Sequence, residues 1–148
     1  MDESKINTIV QELSNSLQTR NYDKFVSYFT DNAIFEIPFT VNGGTTINGK
    51  EGIKKHFDHV RQNPLTKLIE IETVSTKIYH CAEEKTATVE YFTKGKSLNT
   101  NETFEIQSSI ALIKFDENGI VHYKDFPNTL GIAQKAGVLS QLAATWAK

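Results

Sequence analysis

Hydrophobic residues recur at helical spacing in three segments of the N-terminal half of the chain. Residues 3–20 carry a single apolar stripe, made by Ile6, Ile9, Val10, Leu13 and Leu17. A short second helix is predicted to follow, with Asn21 or Asp23 as its N-cap. Residues 50–61 are predicted to form the third helix, because apolar side chains and His56 share one side of it.

Alternating apolar and polar positions predict strands in the rest of the chain. The predicted strands are residues 33–39, 45–47, 67–80, 86–94, 104–115 and 120–126. Residues 116–119 between the last two read Asp-Glu-Asn-Gly, a hairpin signal because Asn and Gly both tolerate positive φ. A final helix is predicted from about Thr129, with Asn128 as its cap and Gly137 as a kink or a split.

Helices followed by long strands predict an α+β domain rather than alternating βαβ units. The 148 residues suffice for a single domain. Three N-terminal helices cannot cover both faces of so long a sheet. We therefore expect a strongly curved, largely antiparallel or mixed sheet, a half-barrel whose concave side is closed by the helices around a cavity or an apolar core. The convex side then faces water or a second subunit, so a homodimer through the sheet is expected.

Charge and cysteine usage narrow the classes of partner. The formal net charge is −2, from 16 Lys and Arg against 18 Asp and Glu, and no basic block stands out, so nucleic acid is not expected. No apolar run approaches the roughly 18 residues of a membrane span, and the polar N-terminus lacks a secretory pattern. Cys81 is the single cysteine, either a nucleophile or a small structural residue, and a reduced, cytoplasmic setting is expected.

Three segments carry motifs in a fixed order: residues 28–38 (YFTDNAIFEIP), residues 49–57 (GKEGIKKHF) and residues 119–128 (GIVHYKDFPN). Together they resemble the nuclear transport factor 2-like superfamily, and especially its SnoaL-like polyketide-cyclase branch. Their spacing extends the resemblance over about residues 5–130. The resemblance implies a cone-shaped α+β barrel with an apolar pocket, commonly in a homodimer.

The superfamily includes isomerases, cyclases, epoxide hydrolases, dehydratases and non-catalytic adaptors, so the fold leaves the function open. A steroid isomerase of this superfamily needs a carboxylate base and an oxyanion hole made by a tyrosine and a protonated aspartate. By motif alignment these three positions fall on Leu13, Ile37 and Ala111. All three are apolar, so steroid isomerisation is disfavoured.

Asp125 is the strongest candidate for chemistry. It lies in register with Val121 and Tyr123 on the last strand, so an inward face would place its carboxylate in an apolar cavity. Burial there would raise its pKa and suit it to proton transfer near neutral pH. In SnoaL-like cyclases an aspartate of this strand is the acid/base, and the resemblance carries that role to Asp125. The alternative is that Asp125 caps the following helix or pairs with a surface lysine, Lys124 or Lys135.

His56 is the second candidate. It shares a helix face with Ile53 and Phe57, where members of the family usually place an aromatic residue. Two roles are open to it: a general acid/base oriented by Asp125, or a core histidine bonded to the backbone. His59 is expected on the solvent side of the same helix.

The walls of the predicted pocket come from several strands. Tyr28, Tyr91 and Tyr123 either donate a hydrogen bond to a developing oxyanion or belong to the core. Gln107 and Ser109 are expected to add polar contacts, because they share one parity on their strand. The predicted lining is Leu13, Tyr28, Phe35, Ile37, Phe39, Phe57, Tyr91, Gln107, Ser109, Ala111 and Tyr123.

No metal or nucleotide cofactor is expected. The four histidines are scattered, no HExxH motif is present, and glycine-rich phosphate loops are missing from the sequence. Two functions of different class remain open. The first is a cofactor-free isomerase, cyclase or hydrolase-type enzyme that uses general acid/base chemistry on a small hydrophobic substrate. The second is a non-catalytic module that binds a small hydrophobic molecule or another protein.

Overall fold

The computed structural model describes residues 1–147 and shows an α+β fold in which a curled, unclosed sheet cups a layer of helices. The helices are α1 Glu3–Gln18, α2 Tyr22–Ser27, α3 Lys50–Gln62, α4 Thr129–Ala136 and α5 Leu139–Trp146, with a short 3-10 helix at Pro64–Leu68. The strands are β1 Phe29–Ile37, β2 Thr45–Asn48, β3 Ile69–Cys81, β4 Thr86–Ser97, β5 Thr103–Asp116 and β6 Gly119–Pro127.

The six strands form one mixed sheet in the order β2-β1-β6-β5-β4-β3. Strands β1 and β6 run parallel, whereas every other neighbouring pair is antiparallel. The predicted half-barrel closed by three N-terminal helices is confirmed. We call the face of the sheet that packs against these helices the inner face, and it includes Val89, Tyr91 and Ala111. The opposite face, with Glu90 and Leu112, is the outer face.

Polar side chains cap the starts of α1, α2 and α4, as their short-range chemistry predicts, whereas α3 and α5 begin without a side-chain cap. The carboxylate of Asp2 accepts from the Lys5 amide at the start of α1. Asn21 caps α2, and Asn128 caps α4 through the amide of Gly131. Gly137, at φ 76°, ends α4, so the predicted C-terminal helix is split into two.

The turn between β5 and β6 forms where it was predicted. Asp116 accepts a hydrogen bond from the Asn118 amide at 2.7 Å, which closes the turn. Asn118 and Gly119 both tolerate positive φ, and of these two residues Gly119 adopts it, at 138°. A Cβ atom on Gly119 would lie 2.5 Å from the carbonyl oxygen of Tyr28. Glycine is therefore needed here for space as well as for φ.

Packed aromatic rings fill the narrow end of the cup. Phe25, Phe29, Phe35, Phe57 and Tyr123 are all buried, and successive ring centroids lie 5.0 to 6.3 Å apart. Helix α1 is fixed to β3 by the Ser14 hydroxyl, which donates to the carbonyl oxygen of Val74 at 2.6 Å. No helix within residues 1–147 is long and apolar enough to cross a membrane.

Candidate functional site

Asp125 lies on β6 directly opposite Ala111, with Tyr123 on the same face. The residue keeps some exposed surface, but burial of its carboxyl group raises its pKa to about 7. Within residues 1–147 no cation lies within salt-bridge distance of the carboxylate. The alternative roles are not adopted, because Asn128 caps α4 and no lysine within residues 1–147 pairs with Asp125.

Two buried tyrosines lie beside this carboxyl group. The Tyr123 hydroxyl donates to the Tyr91 hydroxyl at 3.1 Å, and both residues are at most 3% exposed. Burial raises the pKa of both tyrosines, and the charge of Asp125 adds to the effect on each. Both hydroxyls are therefore protonated near neutral pH. Because Tyr91 accepts from Tyr123, its own O–H proton is left for another acceptor.

His56 lies on the inner side of α3, among aromatic rings. Its ring centroid is 5.4 Å from Phe35 and 5.1 Å from Phe57. Burial lowers its pKa, and the neighbouring His59 acts in the same direction, so the imidazole is neutral near pH 7. His59 itself is exposed, as predicted.

His56 and Asp125 are not hydrogen-bonded to each other. Phe35 stacks on Tyr123 with centroids 5.2 Å apart and also contacts His56, so His56 packs against an aromatic ring. The hypothesis that Asp125 orients His56 is therefore not supported by this arrangement. Spacing along one helix could not have revealed the contact with Phe35, which comes from β1.

Two predicted pocket residues lie elsewhere than expected. Phe39 is 80% exposed and contacts Phe126, because β1 ends at Ile37 and Pro38 cannot continue the ladder. Gln107 lies on the outer face, where its amide donates to the Glu90 carboxylate at 3.2 Å. Both placements correct the sequence prediction.

A β-bulge in β5 explains the position of Gln107. Tyr91 pairs with Ser109, whereas the next residue, Phe92, pairs with Gln107, so Ser108 is an extra residue. Such an insertion reverses the alternation of side chains beyond it. The Ser108 hydroxyl accepts from Thr93 at 2.7 Å and donates to the carbonyl oxygen of Tyr91 at 3.3 Å.

The other predicted pocket residues belong to the packed narrow end of the cup. Leu13, Phe35, Phe57, Tyr91, Ala111 and Tyr123 are buried, while Tyr28, Ile37 and Ser109 are partly buried. These side chains fill space that the prediction assigned to a ligand.

A mostly apolar cavity, which we call the cavity at the wide end of the cup, lies between the sheet and the C-terminal helices. It has a volume of about 380 Å³, at the small end of the range for ligand pockets. Its wall is mostly apolar and comes from β3, β4, β5, the 3-10 helix and the C-terminal helices, including Ile71, Phe104, Ile106, Ile132 and Val138. The side chains on the wall that carry polar atoms are Arg20, Tyr22, Asn63, Thr66, Thr93, Ser108 and Thr129.

The lining of this cavity was missed from the sequence. Neither Asp125, nor His56, nor any residue of the predicted lining is part of it. We call Asp125, Tyr91 and Tyr123 the polar cluster. A chain of hydrogen bonds joins the cavity wall to it, from Thr93 through Ser108 to the backbone of Tyr91. Arg20 follows the end of α1 in a segment whose local sequence gives no signal of a pocket.

Metal ligation finds no support in the described residues. Among residues 1–147, no three or more His, Cys, Asp or Glu side chains are grouped as metal ligands would be. Function without a metal or cofactor stays a prediction.

Residues 10–123 match the SnoaL-like domain family. The chain is 26% identical over 119 residues to the uncharacterized protein YesE of Bacillus subtilis (strain 168), a match that spans 80% of this chain and 78% of YesE. A candidate isomerase from Bacillus subtilis superposes with a TM-score of 0.73 at 24% identity, covering 93% of this chain and 97% of that one. A candidate polyketide cyclase from Xanthomonas campestris gives a TM-score of 0.64 at 11% identity, covering 88% and 95%.

The two structural similarities describe the fold, whereas the family match extends over most of the sequence. The chain belongs to the SnoaL-like domain family.

Proposed function

We propose that this protein is a cofactor-free enzyme of the isomerase, cyclase or hydrolase type, acting by general acid/base chemistry on a small, largely apolar carbonyl or polycyclic substrate. One observation carries the proposal. Asp125 is a carboxyl group without a cationic partner in the described residues, and burial holds its pKa at about 7. A carboxyl group in that state is populated in both protonation states at neutral pH, which general acid/base catalysis requires.

The chemistry follows from the groups around Asp125. The carboxylate form accepts a proton from a carbon next to a carbonyl group, and the resulting carboxylic acid returns it at another position. Negative charge that develops on the carbonyl oxygen is stabilised by a protonated hydroxyl, for which Tyr91 has a proton available. A steroid isomerase stays disfavoured, because Leu13, Ile37 and Ala111 supply no polar group at the positions that reaction needs.

His56 has no proton-transfer role in this proposal. It makes no hydrogen bond to Asp125, and its ring packs against Phe35 and Phe57. We assign it to the aromatic wall, where a neutral imidazole packs against Phe35 and Phe57.

Isotope exchange tests the role of Asp125. The small apolar ketone 2-tetralone, dissolved in D₂O near neutral pH, would report proton abstraction as loss of its α-hydrogen signals in NMR spectra. We expect the wild-type protein to accelerate this exchange and Asp125→Asn to reduce the acceleration by about 100-fold or more. Asp31→Asn, at an exposed position, is the matched control. Equal exchange with wild-type protein and Asp125→Asn would contradict the proposal.

A non-catalytic binding module is the second candidate. The observation in its favour is that Asp125 does not line the 380 Å³ cavity. A ligand held at the wide end of the cup would then need no proton transfer. Exchange that stays at the buffer rate, together with ligand binding, would favour this function.

We also propose that the protein forms a homodimer through the outer face. Ile110 and Leu112 on β5 are 37% and 42% exposed, next to partly buried Phe92 and Phe126. Exposed aliphatic side chains on a central strand favour a partner over water.

The exposed thiol of Cys81 fits a reducing, cytoplasmic compartment.

A further inference from the structure

Among residues 1–147, a single cationic side chain lines the cavity at the wide end of the cup. Arg20 lines it, and no Asp or Glu is among the lining residues. One guanidinium nitrogen of Arg20 donates to the carbonyl oxygen of Ile69, at the start of β3. Within residues 1–147 no carboxylate lies within 4.0 Å of Arg20. The other N–H groups of its planar fork have no acidic partner in the described chain.

The backbone at Arg20 is unusual for such a side chain. Arg20 follows the last turn of α1 at φ 57°, in the left-handed region. The Asn21 amide donates to Ser16 at 2.8 Å and the Arg20 amide to Leu17 at 3.2 Å, the two bonds of a Schellman motif. Glycine is favoured at this position, because a Cβ atom makes the left-handed conformation unfavourable.

This strain bears on function. A non-glycine residue held in a left-handed conformation is a reason to look for a role of its side chain. At Arg20 the side chain is directed to β3 and to the cavity wall. We therefore attribute the presence of arginine at this position to its guanidinium group, since glycine would suit the turn better.

We infer that the cavity binds a small apolar molecule that carries a carboxylate, and that Arg20 binds this carboxylate. A guanidinium group matches a planar carboxylate with two parallel N–H donors. The low-polarity wall, with Ile71, Phe104 and Ile132 near by, strengthens that attraction and accommodates the apolar body. The side-chain amide of Asn63 offers an additional neutral donor on the same wall.

The inference rests on the proposal that the cup holds a small apolar molecule, but not on proton transfer by Asp125. It narrows the class of molecule that the cavity binds from small apolar compounds in general to apolar acids. The ligand would be an aromatic or other apolar acid of a size that fits about 380 Å³.

Isothermal titration calorimetry with matched acids and amides tests the inference. The probes are naphthalene-2-carboxylate with naphthalene-2-carboxamide, and biphenyl-4-carboxylate with its amide, near neutral pH and at low salt. Each amide keeps the shape of its acid but has no charge. We expect each acid to bind the wild-type protein roughly tenfold more tightly than its amide, or better. Added salt should reduce that preference.

Arg20→Gly is the decisive variant. It removes the guanidinium group while placing glycine where the Schellman motif favours it. We expect a melting temperature close to that of the wild type and acid-to-amide binding ratios near one. Arg20→Met is the second variant, which keeps an aliphatic stem on the cavity wall if loss of the bond to Ile69 lowers the stability of Arg20→Gly.

Arg61→Met is the matched control for loss of one cation. Arg61 pairs with Asp23 and Asp58, lies near the ring of Tyr22 and does not line the cavity. It should keep the preference for the acids. Three results would overturn the inference: equal binding of acids and amides by the wild type, a preference that survives Arg20→Gly, or no acid bound at about 1 mM.

The Asp125→Asn variant separates this inference from the proposed function. If it retains the preference for acids but loses isotope exchange, both stand. If the preference for acids depends on Arg20 while exchange is unaffected by Asp125→Asn, the proposed enzyme mechanism fails and the inference stands. If acids and amides bind equally while isotope exchange depends on Asp125, the inference about Arg20 fails and the proposed enzyme mechanism stands.

Discussion

Asp125 has a pKa well above that of an ordinary aspartate, because of where the fold places its side chain. Its carboxyl group faces Ala111 and two tyrosines instead of a lysine or an arginine. Burial penalises the charged form, and no opposite charge offsets that penalty, so the pKa rises to about 7. The same burial that would suit Asp125 to proton transfer also makes its ionised form a cost to the folded state.

The first prediction concerns stability as a function of pH. The pKa of Asp125 is higher in the folded state than in the unfolded chain, so the folded state holds its proton more tightly between those two values. This contribution to stability is complete below about pH 4 and is lost as the pH rises through about 7. We therefore expect Asp125→Asn to stabilise the protein relative to wild type at pH 8, by about 1 to 4 kcal/mol.

Urea unfolding at a series of pH values measures this difference. The advantage of Asp125→Asn should shrink steadily as the pH falls toward about 4. Asp31→Asn, which removes an exposed acidic side chain, is the control. A stability difference between Asp125→Asn and wild type that does not change with pH would contradict a buried, unpaired carboxyl group.

Strand β5 contributes residues both to the packed core and to the wall of the cavity. Before the bulge at Ser108, Phe104 and Ile106 line the cavity, and after the bulge the inner-facing side chains, such as Ala111 and Ile113, belong to the packed core. The hairpin that joins β5 to β6 must also pass close to the end of α2. There Gly119 lies against the carbonyl oxygen of Tyr28.

The second prediction concerns this close approach. Gly119→Ala places a Cβ atom 2.5 Å from the Tyr28 oxygen in a backbone with φ 138°. We expect it to lower the free energy of unfolding by about 3 kcal/mol, since the backbone itself must move. Gly43→Ala is the control, because Gly43 also has positive φ but no atom within 4 Å of an added Cβ.

Chemical unfolding of the two variants separates conformational strain from steric overlap. Gly43→Ala should cost about 1 kcal/mol, which is the strain of the left-handed backbone alone. Similar losses in both variants would show that the approach of the hairpin to α2 carries no steric constraint.

At the scale of the whole molecule, the two faces of the curled sheet differ in what they contact. The inner face holds the core, the polar cluster at Asp125 and the cavity at the wide end. On the outer face, the Glu90 carboxylate accepts hydrogen bonds from Tyr79 and Gln107 at 3.1 and 3.2 Å. Beside this polar group, Ile110 and Leu112 are left exposed.

The third prediction is that the outer face is the dimer interface. Leu112→Lys adds a charge at the centre of the proposed interface, and burying it without a partner would be unfavourable. We expect light scattering after size-exclusion chromatography to give a dimer mass for wild type and a monomer mass for this variant. Leu98→Lys, at an exposed position in the β4–β5 connection, should stay dimeric. A monomeric wild type would rule out the proposal.

Local chemistry in the sequence was enough to locate most of the elements. The stripe of Ile6, Val10 and Leu13, the caps at Asn21 and Asn128 and the turn at Gly119 depend on neighbours within a few residues. Such features are readable because helix periodicity and turn geometry repeat over short distances. The family motifs are spread over three segments, and they indicated how those elements assemble.

Only the tertiary structure decided which side chains share the site. The inward position of Asp125 was predicted as one of two alternatives, but the burial that raises its pKa depends on how β6 packs against strands that are distant in sequence, such as β5 with Ala111. One extra residue at Ser108 turned Gln107 outward, and Phe35 of β1 packs against His56. Burial, strand register and cavity shape are sums over contacts between remote segments, so periodicity along the chain determined the fold while packing across it decided the site.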